Sequence, residues 1–367
     1  MRILKRVLAV IVGVLTLAVV SLAIAISYDG SCRSPEAIPA GAPRMKAVVF
    51  RCYGPPQVLK VEDVVKPTPE DDELLVKVQA AAVNPLDWHY MRGEPYIMRL
   101  SSGIGAPNEI RSGVDFAGTI EAVGKNVTRF KVGDAVFGGR SGALAEYVTI
   151  RETSAVVQKP ANVSFEQAAA VPIAGVTALQ ALRDFGQLEA GQKVLINGAS
   201  GGVGTYAVQI AKSLGAEVTA VCSTRNVELV RSLGADHVID YTKESFIEST
   251  GKYDLIVDNI GNHPLRKARQ VLKPGGTFVI VGAKSDDPWL GPVWQPVKAV
   301  FLEPTGDEKF AMILAQLNAA DLNVIAGLMQ AGKVTSAIDR RYPLAEAAAA
   351  IAYLEEGRAR GKVIVLP

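Results

Sequence analysis

The sequence predicts an α/β fold in which a β-rich domain is followed by a doubly wound parallel sheet. Short alternating runs broken by Gly and Pro fill residues 46–159, which indicates a small barrel or sandwich. Strands alternate with helices over residues 184–281, which indicates βαβ units. An uncharged apolar stretch at residues 7–26 precedes both parts. With 367 residues, the chain is long enough for about two domains.

The N-terminal apolar stretch is predicted to be a single transmembrane helix, with residues 1–27 as a membrane anchor. Its 20 residues, at about 1.5 Å each, match the ~30 Å of a bilayer core, and it lacks the polar face of a soluble helix. A signal peptide cleaved near residues 23–25 is the alternative, and it would leave a secreted or periplasmic protein. Basic residues before the stretch favour a cytoplasmic N-terminus, but others follow it, so the side of the membrane stays open.

The composition of the chain argues against nucleic acid as a partner. The net charge is only +2, and Lys and Arg are spread along the chain without forming a basic stripe. The three cysteines, Cys32, Cys52 and Cys222, are far apart and odd in number. We therefore expect neither a disulfide framework nor a CxxC metal site.

The segment that follows the apolar stretch is polar and rich in Pro, Gly and Ala, which predicts a linker. Near the C-terminus, two further helices are predicted at residues 310–331 and 344–356. The predicted limits are 28–44 for the linker, 45–165 for the β-rich domain, 166–306 for the nucleotide-binding domain and 307–367 for a C-terminal segment.

The run NGASGGVG at residues 197–204 predicts a dinucleotide site, because it joins a buried strand to an amphipathic helix. In this interpretation Ala199 lies in the tight turn, Gly201 lies where the backbone approaches a pyrophosphate, and Gly204 lies where the helix packs on the strand. The free N–H groups that follow would point at the phosphates. The predicted cofactor-binding residues of this turn are Ala199, Ser200, Gly201, Gly202, Val203 and Gly204.

The end of the second predicted strand favours NADPH over NADH. Enzymes that prefer NAD keep an acidic residue there to bind the ribose 2′-hydroxyl, whereas this chain has Ser223 and Arg225, which can donate to a 2′-phosphate. Further cofactor contacts are predicted at strand ends that face the same crevice, namely Asn259, Val281, Gly282 and Ala283.

Seven motifs occur in an order that resembles the medium-chain dehydrogenase/reductase superfamily. They are NPLDWHYMRG (84–93), GVDFAGTIEAVG (113–124), VGDAVFG (132–138), AGVTALQAL (174–182), NGASGGVGTYAVQIAK (197–212), LGADHVIDY (233–241) and RGKVIVL (360–366). Within that superfamily the chain is similar to the zinc-free branch of quinone oxidoreductases and enone reductases. The similarity covers residues 46–366.

The resemblance implies a GroES-like catalytic domain and a Rossmann domain, with the cofactor in the cleft between them and the end of the chain returning to the catalytic domain. It implies that Asn84 contacts the nicotinamide end and helps to position the substrate, and that Thr177 lies near the nicotinamide ribose. It also implies that Tyr241 reaches the 2′-phosphate and that Lys362 takes part in the cofactor site.

The resemblance further implies hydride transfer without a metal. Zinc members have a cysteine and a His-Glu pair where this chain has Asn84 and Gly113-Val114-Asp115. We therefore expect NADPH to reduce a quinone or an α,β-unsaturated carbonyl, and we expect the acceptor to be a small hydrophobic molecule. The alternatives are an enoyl-thioester reductase and a nucleotide-binding scaffold without activity.

Two further candidates for catalysis follow Asn84 at the third and sixth positions. Asp87 and Tyr90 would face the cleft from a helical turn, and Tyr90 could donate a proton there. In the alternative interpretation, Asp87 caps the turn after Pro85 and Tyr90 packs in the core.

A long connection at residues 284–309, apolar in its middle, does not identify the acceptor. It is compatible with a lid over a hydrophobic acceptor, with a subunit interface of a homodimer, or with a surface that contacts the membrane beside the anchor.

Overall fold

We describe a computed structural model of the chain, which covers residues 2–282, 287–289, 291 and 307–367. Its first helix, α1, runs from Arg2 to Ser27. The window Val10–Ser27 has a mean hydropathy of 2.7, and only 6% of it is buried in the protein. By length and composition, α1 is therefore able to cross a membrane.

The β-rich half of the chain contains one large sheet and a separate two-stranded sheet, which its first two strands form. Its helices and strands are β1 (Arg44–Val49), β2 (Lys60–Val65), β3 (Glu73–Val83), α2 (Pro85–Arg92), α3 (Arg99–Ser102), β4 (Asp115–Val123), β5 (Ala135–Gly139), β6 (Tyr147–Arg151) and β7 (Val156–Gln158). Two strands from the end of the chain, β14 (Ile338–Pro343) and β15 (Lys362–Leu366), complete the large sheet. Among the described residues, the seven-stranded sheet has the order β14-β15-β3-β4-β5-β7, with β6 paired to β3. The C-terminal strand therefore lies beside the strand that leads to Asn84.

The second half is a doubly wound parallel sheet. Its helices and strands are α4 (Phe165–Ala169), α5 (Pro172–Gln180), β8 (Lys193–Asn197), α6 (Gly202–Ser213), β9 (Glu217–Cys222), α7 (Val227–Ser232), β10 (His237–Asp240), β11 (Tyr253–Asp258), α8 (Leu265–Ala268), β12 (Leu272–Ile280) and β13 (Lys309–Met312). In the part of the chain that is described, six strands lie in the order β10-β9-β8-β11-β12-β13. This order reverses beside β8, and ligands bind at such a switch point, outside the carboxyl ends of the strands.

The prediction of a helix at residues 310–331 is wrong in its first part. Residues 309–312 form β13, which pairs with β12, and the helix α9 spans only Ala319–Gln330. The short run of apolar residues at this point fits a buried strand as well as a helix, so periodicity does not separate the two. Because β13 joins the parallel sheet, that sheet extends beyond the predicted domain limit at residue 306. The last helix, α10, spans Ala347–Glu355.

The expectation that the cysteines form no disulfide is also wrong. Cys32 and Cys52 are joined by a disulfide with their Cα atoms 4.6 Å apart, while Cys222 is free and buried. The predicted linker is thus held to the folded body at its start. Sequence separation did not reveal the pair, because the segment turns back against the loop that follows β1, where Arg33 N donates to the carbonyl oxygen of Arg51.

Candidate active site

Three polar residues meet where three neighbouring strands of the first sheet begin or end. Asn84 directly follows β3, Asp115 begins β4 and Lys362 begins β15. The register brings them together, because Ala82 pairs with Asp115 and Val83 pairs with Val363. Sequence neighbours would not predict this cluster, since its members come from three distant segments.

The cluster is a closed network of hydrogen bonds. Lys362 Nζ lies 3.2 Å from Asp115 Oδ2 and also donates to Asn84 Oδ1, while Asn84 Nδ2 donates to the same Asp115 oxygen at 2.9 Å. All three side chains are at most 3% exposed. Burial raises the pKa of Asp115, and the Lys362 ammonium opposes that shift. Because a buried charge is costly unless it is paired, Asp115 and Lys362 stabilise each other and fix the Asn84 amide.

The same cluster touches the nucleotide-binding half. Asp115 Oδ1 accepts a hydrogen bond from Ile173 N at the start of α5, at 3.1 Å. Gly361 N donates to the carbonyl oxygen of Ser200 at 2.9 Å, so the residue before Lys362 is paired with the glycine turn. The polar cluster therefore lies at the junction of the two sheets, next to the predicted phosphate site.

Asp87 and Tyr90 both lie on α2, three and six residues after Asn84. Asp87 Oδ2 accepts a hydrogen bond from Asn84 N at 2.7 Å, so it does cap the helix. Asp87 is only 4% exposed, and burial, followed by the nearby charge of Asp115, raises its pKa to about 7. Tyr90 is 40% exposed and therefore is not a core residue.

A cavity of about 230 Å³ opens beside α2. It is lined by Phe50, Asp87, Tyr90, Ser101, Ser102, Pro107, Asn108, Glu109, Arg111, Ser112, Gly113, Val114 and Ser141. The Ser112 hydroxyl is buried and has no hydrogen-bond partner within the described residues. Buried polar groups are nearly always paired, so an unpaired hydroxyl in the wall of a cavity indicates a place where a bound molecule accepts a hydrogen bond.

The glycine turn has the local geometry that a dinucleotide requires. A Cβ atom on Gly204 would lie 2.2 Å from the carbonyl oxygen of Gly198, so only glycine lets α6 pack this closely on the strand. A Cβ atom on Gly201 would meet nothing nearer than 3.5 Å, so the backbone there faces open space. The backbone of Gly198 has a φ of +75°, and the left-handed residue is therefore Gly198 rather than its neighbour Ala199.

The other predicted cofactor residues lie on α5, on α6 and after β12. Thr177 on α5 donates its hydroxyl to the carbonyl oxygen of Ile173 at 2.7 Å. The N–H groups of Val281 and Gly282, at the end of β12, donate to the carbonyl oxygen of Asp258. Val203 lies on the first turn of α6, and Ala283 lies outside the described residues.

Two residues predicted to read the 2′-phosphate are exposed. Arg225 follows β9 and donates to the carbonyl oxygen of Arg358 at 2.6 Å, and Tyr241 follows β10 with 59% of its surface exposed. Ser223 directly follows β9, at the same edge of the sheet.

Several functional candidates were not found from the sequence. Asn226 donates to the hydroxyl oxygens of Ser200 and Ser223, at 2.9 and 3.3 Å, and its own Oδ1 is buried without a partner among the described residues. From the sequence, Asp115 is identified only as part of Gly113-Val114-Asp115, where zinc members have a His-Glu pair. A polar residue that begins an apolar strand, as Asp115 does in GVDFAG, is the signal that would have marked it. Among the described residues, no group of three or more His, Cys, Asp or Glu side chains is placed to hold a metal ion.

The chain matches two family models. "Alcohol dehydrogenase GroES-like domain" matches residues 70–161, and "Zinc-binding dehydrogenase" matches residues 233–365.

Relatives of the chain are reductases of activated carbonyl compounds by name. The 2-methylene-furan-3-one reductase of Solanum lycopersicum is 35% identical, over 88% of this chain and 79% of the relative. The "NADPH-dependent alkenal/one oxidoreductase, chloroplastic" of Arabidopsis thaliana is 36% identical, over 88% and 80%. The solved structure of the quinone oxidoreductase from Coxiella burnetii covers 88% of this chain and 99% of its own, with a TM-score of 0.77 and 30% identity. The chain therefore belongs to the medium-chain dehydrogenase/reductase superfamily, in its branch of quinone oxidoreductases and enone reductases.

Proposed function

We propose that the protein is an NADPH-dependent reductase that transfers hydride to a quinone or to the β-carbon of an α,β-unsaturated carbonyl. The observation that carries this proposal is the Asn84 amide, which Lys362 and Asp115 hold between the cavity and the glycine turn. The names of the relatives support the same two classes of acceptor.

The residues of the crevice fit NADPH. The open backbone at Gly201 leaves room for a pyrophosphate, and the buried Oδ1 atoms of Asn226 and Asn259, which have no partner within the described residues, are free to accept from a ligand. Arg225 and Tyr241 are exposed where a 2′-phosphate would lie, and Ser223 is next to them. NADPH, when bound, supplies the hydride.

The side chains of this chain would then stabilise the acceptor. Negative charge develops on the acceptor oxygen as hydride arrives, so the site needs a hydrogen-bond donor at that oxygen. The cavity offers three: the unpaired Ser112 hydroxyl, the Tyr90 hydroxyl and the Asp87 carboxyl group, which holds its proton up to about pH 7. Asn84 orients the reacting groups from behind the cavity.

The test is to purify the full chain in a membrane mimetic and follow NADPH and NADH oxidation with quinones, enones and enoyl thioesters. We expect turnover of quinones or enones with NADPH. The substitution Ser112→Ala should lower kcat by about ten- to a hundredfold, because it removes one donor to the oxyanion. Ser101→Ala is the matched control, since the Ser101 hydroxyl already donates to the carbonyl oxygen of Met98. Tight NADPH binding without turnover of any acceptor would contradict the proposal.

We also propose that α1 is a single-pass anchor and that the catalytic body lies on the oxidising side of the membrane. The disulfide between Cys32 and Cys52 supports that side, because disulfides persist in secretory, periplasmic or extracellular compartments. The basic residues in the first turns of α1, which precede its apolar stretch, favour the same orientation.

Thiol labelling tests the orientation of the anchor. The protein in isolated membranes is denatured and its free thiols are labelled with a polyethylene-glycol maleimide, with and without prior reduction of disulfides. The number of labelled cysteines is measured from the mobility of the protein on a gel. We expect Cys222 alone to react before reduction and all three cysteines after it. Labelling of all three without a reductant would place the body in a reducing compartment.

A further inference from the structure

The last turn of α1 is locked to the body of the enzyme by one buried arginine. Arg99, only 2% exposed, donates to the carbonyl oxygens of Ile26 and Tyr28 at 3.2 and 3.3 Å and pairs with Asp29 at 2.8 Å. It also donates to the carbonyl oxygen of Gly93 at the end of α2, at 2.9 Å. A guanidinium that joins backbone and charged acceptors from both segments holds the end of α1 directly against the helix that carries Asp87 and Tyr90.

The chain after α1 forms a second attachment along the loop at residues 103–108. Gly30 N donates to the carbonyl oxygen of Gly105 at 2.8 Å, and Arg33 Nη2 donates to Asn108 Oδ1 at 3.0 Å. Tyr53, beside the disulfide, donates to the carbonyl oxygen of Gly103 at 2.7 Å. The start of the predicted linker therefore fixes this loop in place.

The loop held in this way is one wall of the acceptor cavity. Ser101 and Ser102, on α3, and Pro107 and Asn108 line the same cavity as Asp87 and Tyr90. The segment 99–108 therefore both contacts the chain at the end of α1 and lines the cavity.

Large apolar side chains are exposed on the segment 99–108 and on residues that contact it or its neighbours. Leu100 is 51% exposed, Ile104 is 55% exposed and Tyr28 is 63% exposed. Trp289 is 41% exposed and packs edge to face on Tyr96, just before α3, with ring centroids 5.2 Å apart. We call Tyr28, Leu100, Ile104 and Trp289 the juxtamembrane face.

We propose that the juxtamembrane face sits in the interfacial layer of the bilayer and that the cavity takes its acceptor from the lipid. The face is continuous with α1, whose apolar surface has a bilayer as its natural partner. Tyr and Trp beside Leu and Ile are the side chains that settle at a membrane interface. The substrate class is therefore a quinone or enone with a long apolar tail, dissolved in the membrane. This inference rests on the proposed reductase activity.

Depth measurement tests the surface without using activity. Ile104→Cys is labelled with a nitroxide in the full chain, reconstituted in phosphatidylcholine nanodiscs, and its collision rates with oxygen and with a water-soluble nickel chelate are compared. Val132→Cys is the matched control, because Val132 is 60% exposed and follows β4 at the end of the sheet opposite Asn84. We expect oxygen to dominate at position 104 and nickel at position 132. Equal access of nickel to both positions would overturn the proposal.

A pair of acceptors with one reacting group tests the access route. Hexenal dissolves in water and hexadecenal in the bilayer, and both are α,β-unsaturated. In nanodiscs, Leu100→Glu with Ile104→Glu should lower kcat/KM for hexadecenal by about tenfold or more, since two charges at these exposed positions would keep the juxtamembrane face out of the lipid. The rate with hexenal should stay within about twofold, because neither residue lines the cavity.

The outcomes separate the two proposals. If hexenal is reduced but the double variant keeps its kcat/KM for hexadecenal, only the membrane route is wrong. The same conclusion follows if Val132→Glu lowers kcat/KM for hexadecenal as much as the double variant does. If neither aldehyde nor a short and a long-tailed benzoquinone is reduced, the proposed function is wrong and the membrane route falls with it.

Discussion

The ammonium group of Lys362 donates a hydrogen bond to the side-chain oxygen of Asn84, although 278 positions separate the two residues. The bond forms because β15 pairs with β3, so that the last strand of the chain completes the site begun by the first half. Asn84 donates one of its two amide hydrogens to Asp115. The second N–H and one lone pair on Oδ1 are therefore left for a ligand. An amide held on both sides presents that remaining N–H in a fixed direction.

Lys362→Met should destabilise the protein by about 3–5 kcal/mol, because it leaves the Asp115 carboxylate buried without its cation. Thermal or denaturant unfolding of the reconstituted chain measures the change.

The double substitution Lys362→Met with Asp115→Asn should recover much of that stability, since it removes the stranded charge. Its activity should nevertheless stay low, because the Asn84 amide loses one of its two holding partners. Equal stability of the single and the double variant would show that the ion pair is not what holds the cluster.

Asp87→Asn should make stability less dependent on pH. The folded pKa of Asp87, about 7, lies above the value of about 3.9 expected in the unfolded chain. Between about pH 4 and pH 7 the folded form keeps a proton that the unfolded form has released, so the free energy of unfolding falls as the pH rises. The Asn variant should therefore gain in Tm relative to the parent over this range and keep a constant advantage above it.

The pH dependence of activity separates Asp87 from Tyr90 as proton donor. If the Asp87 carboxyl group donates, kcat/KM falls above about pH 7 in the parent, and Asp87→Asn removes that fall at a rate lower by about a hundredfold. Tyr90→Phe should keep the fall. A parent profile that stays flat between pH 6 and pH 8 would exclude Asp87 from the role.

The parts of the fold that local patterns determine were predicted well. The alternation of strands and helices predicted over residues 184–281 is confirmed by β8 to β12, because apolar runs rich in β-branched residues are separated by clear turn signals there. The glycine turn was also predicted from six consecutive residues, since its geometry depends on missing Cβ atoms. The residue of this turn in the left-handed conformation is Gly198, which directly precedes Ala199.

Contacts between distant segments could not be predicted in this way. The partner of Lys362 in the ion pair is 247 residues away, and nothing near either residue indicates the other. Arg99 is a charged residue in a short helix, yet it is buried because the end of α1 supplies its acceptors. The disulfide could not be predicted for the same reason. The segment 28–34 folds back on the body through contacts with Arg51 and Arg99, which are distant in sequence.

Arg225→Ala should raise the KM for NADPH by about ten- to a hundredfold and leave the KM for NADH nearly unchanged, because only NADPH carries the 2′-phosphate. Steady-state kinetics with both cofactors measures the ratio. Arg231→Ala is the control, since Arg231 lies on α7 and pairs with the exposed Glu228. The same loss for both cofactors would mean that Arg225 acts through its hydrogen bond to the carbonyl oxygen of Arg358.

Two alanine substitutions in the glycine turn should have opposite effects on folding and binding. Gly201→Ala places its methyl group in open space, 3.5 Å from the nearest atom, so the chain should fold with an unchanged Tm. The methyl group would occupy the space that a pyrophosphate needs, and NADPH affinity should fall by about tenfold or more. Gly204→Ala places a methyl group 2.2 Å from the carbonyl oxygen of Gly198, so it should lower the Tm or prevent folding. Thermal shift with and without NADPH measures both effects. Undiminished stabilisation of the Gly201→Ala variant by NADPH would place the phosphates elsewhere, because a ligand stabilises a protein only in proportion to its affinity for the folded state.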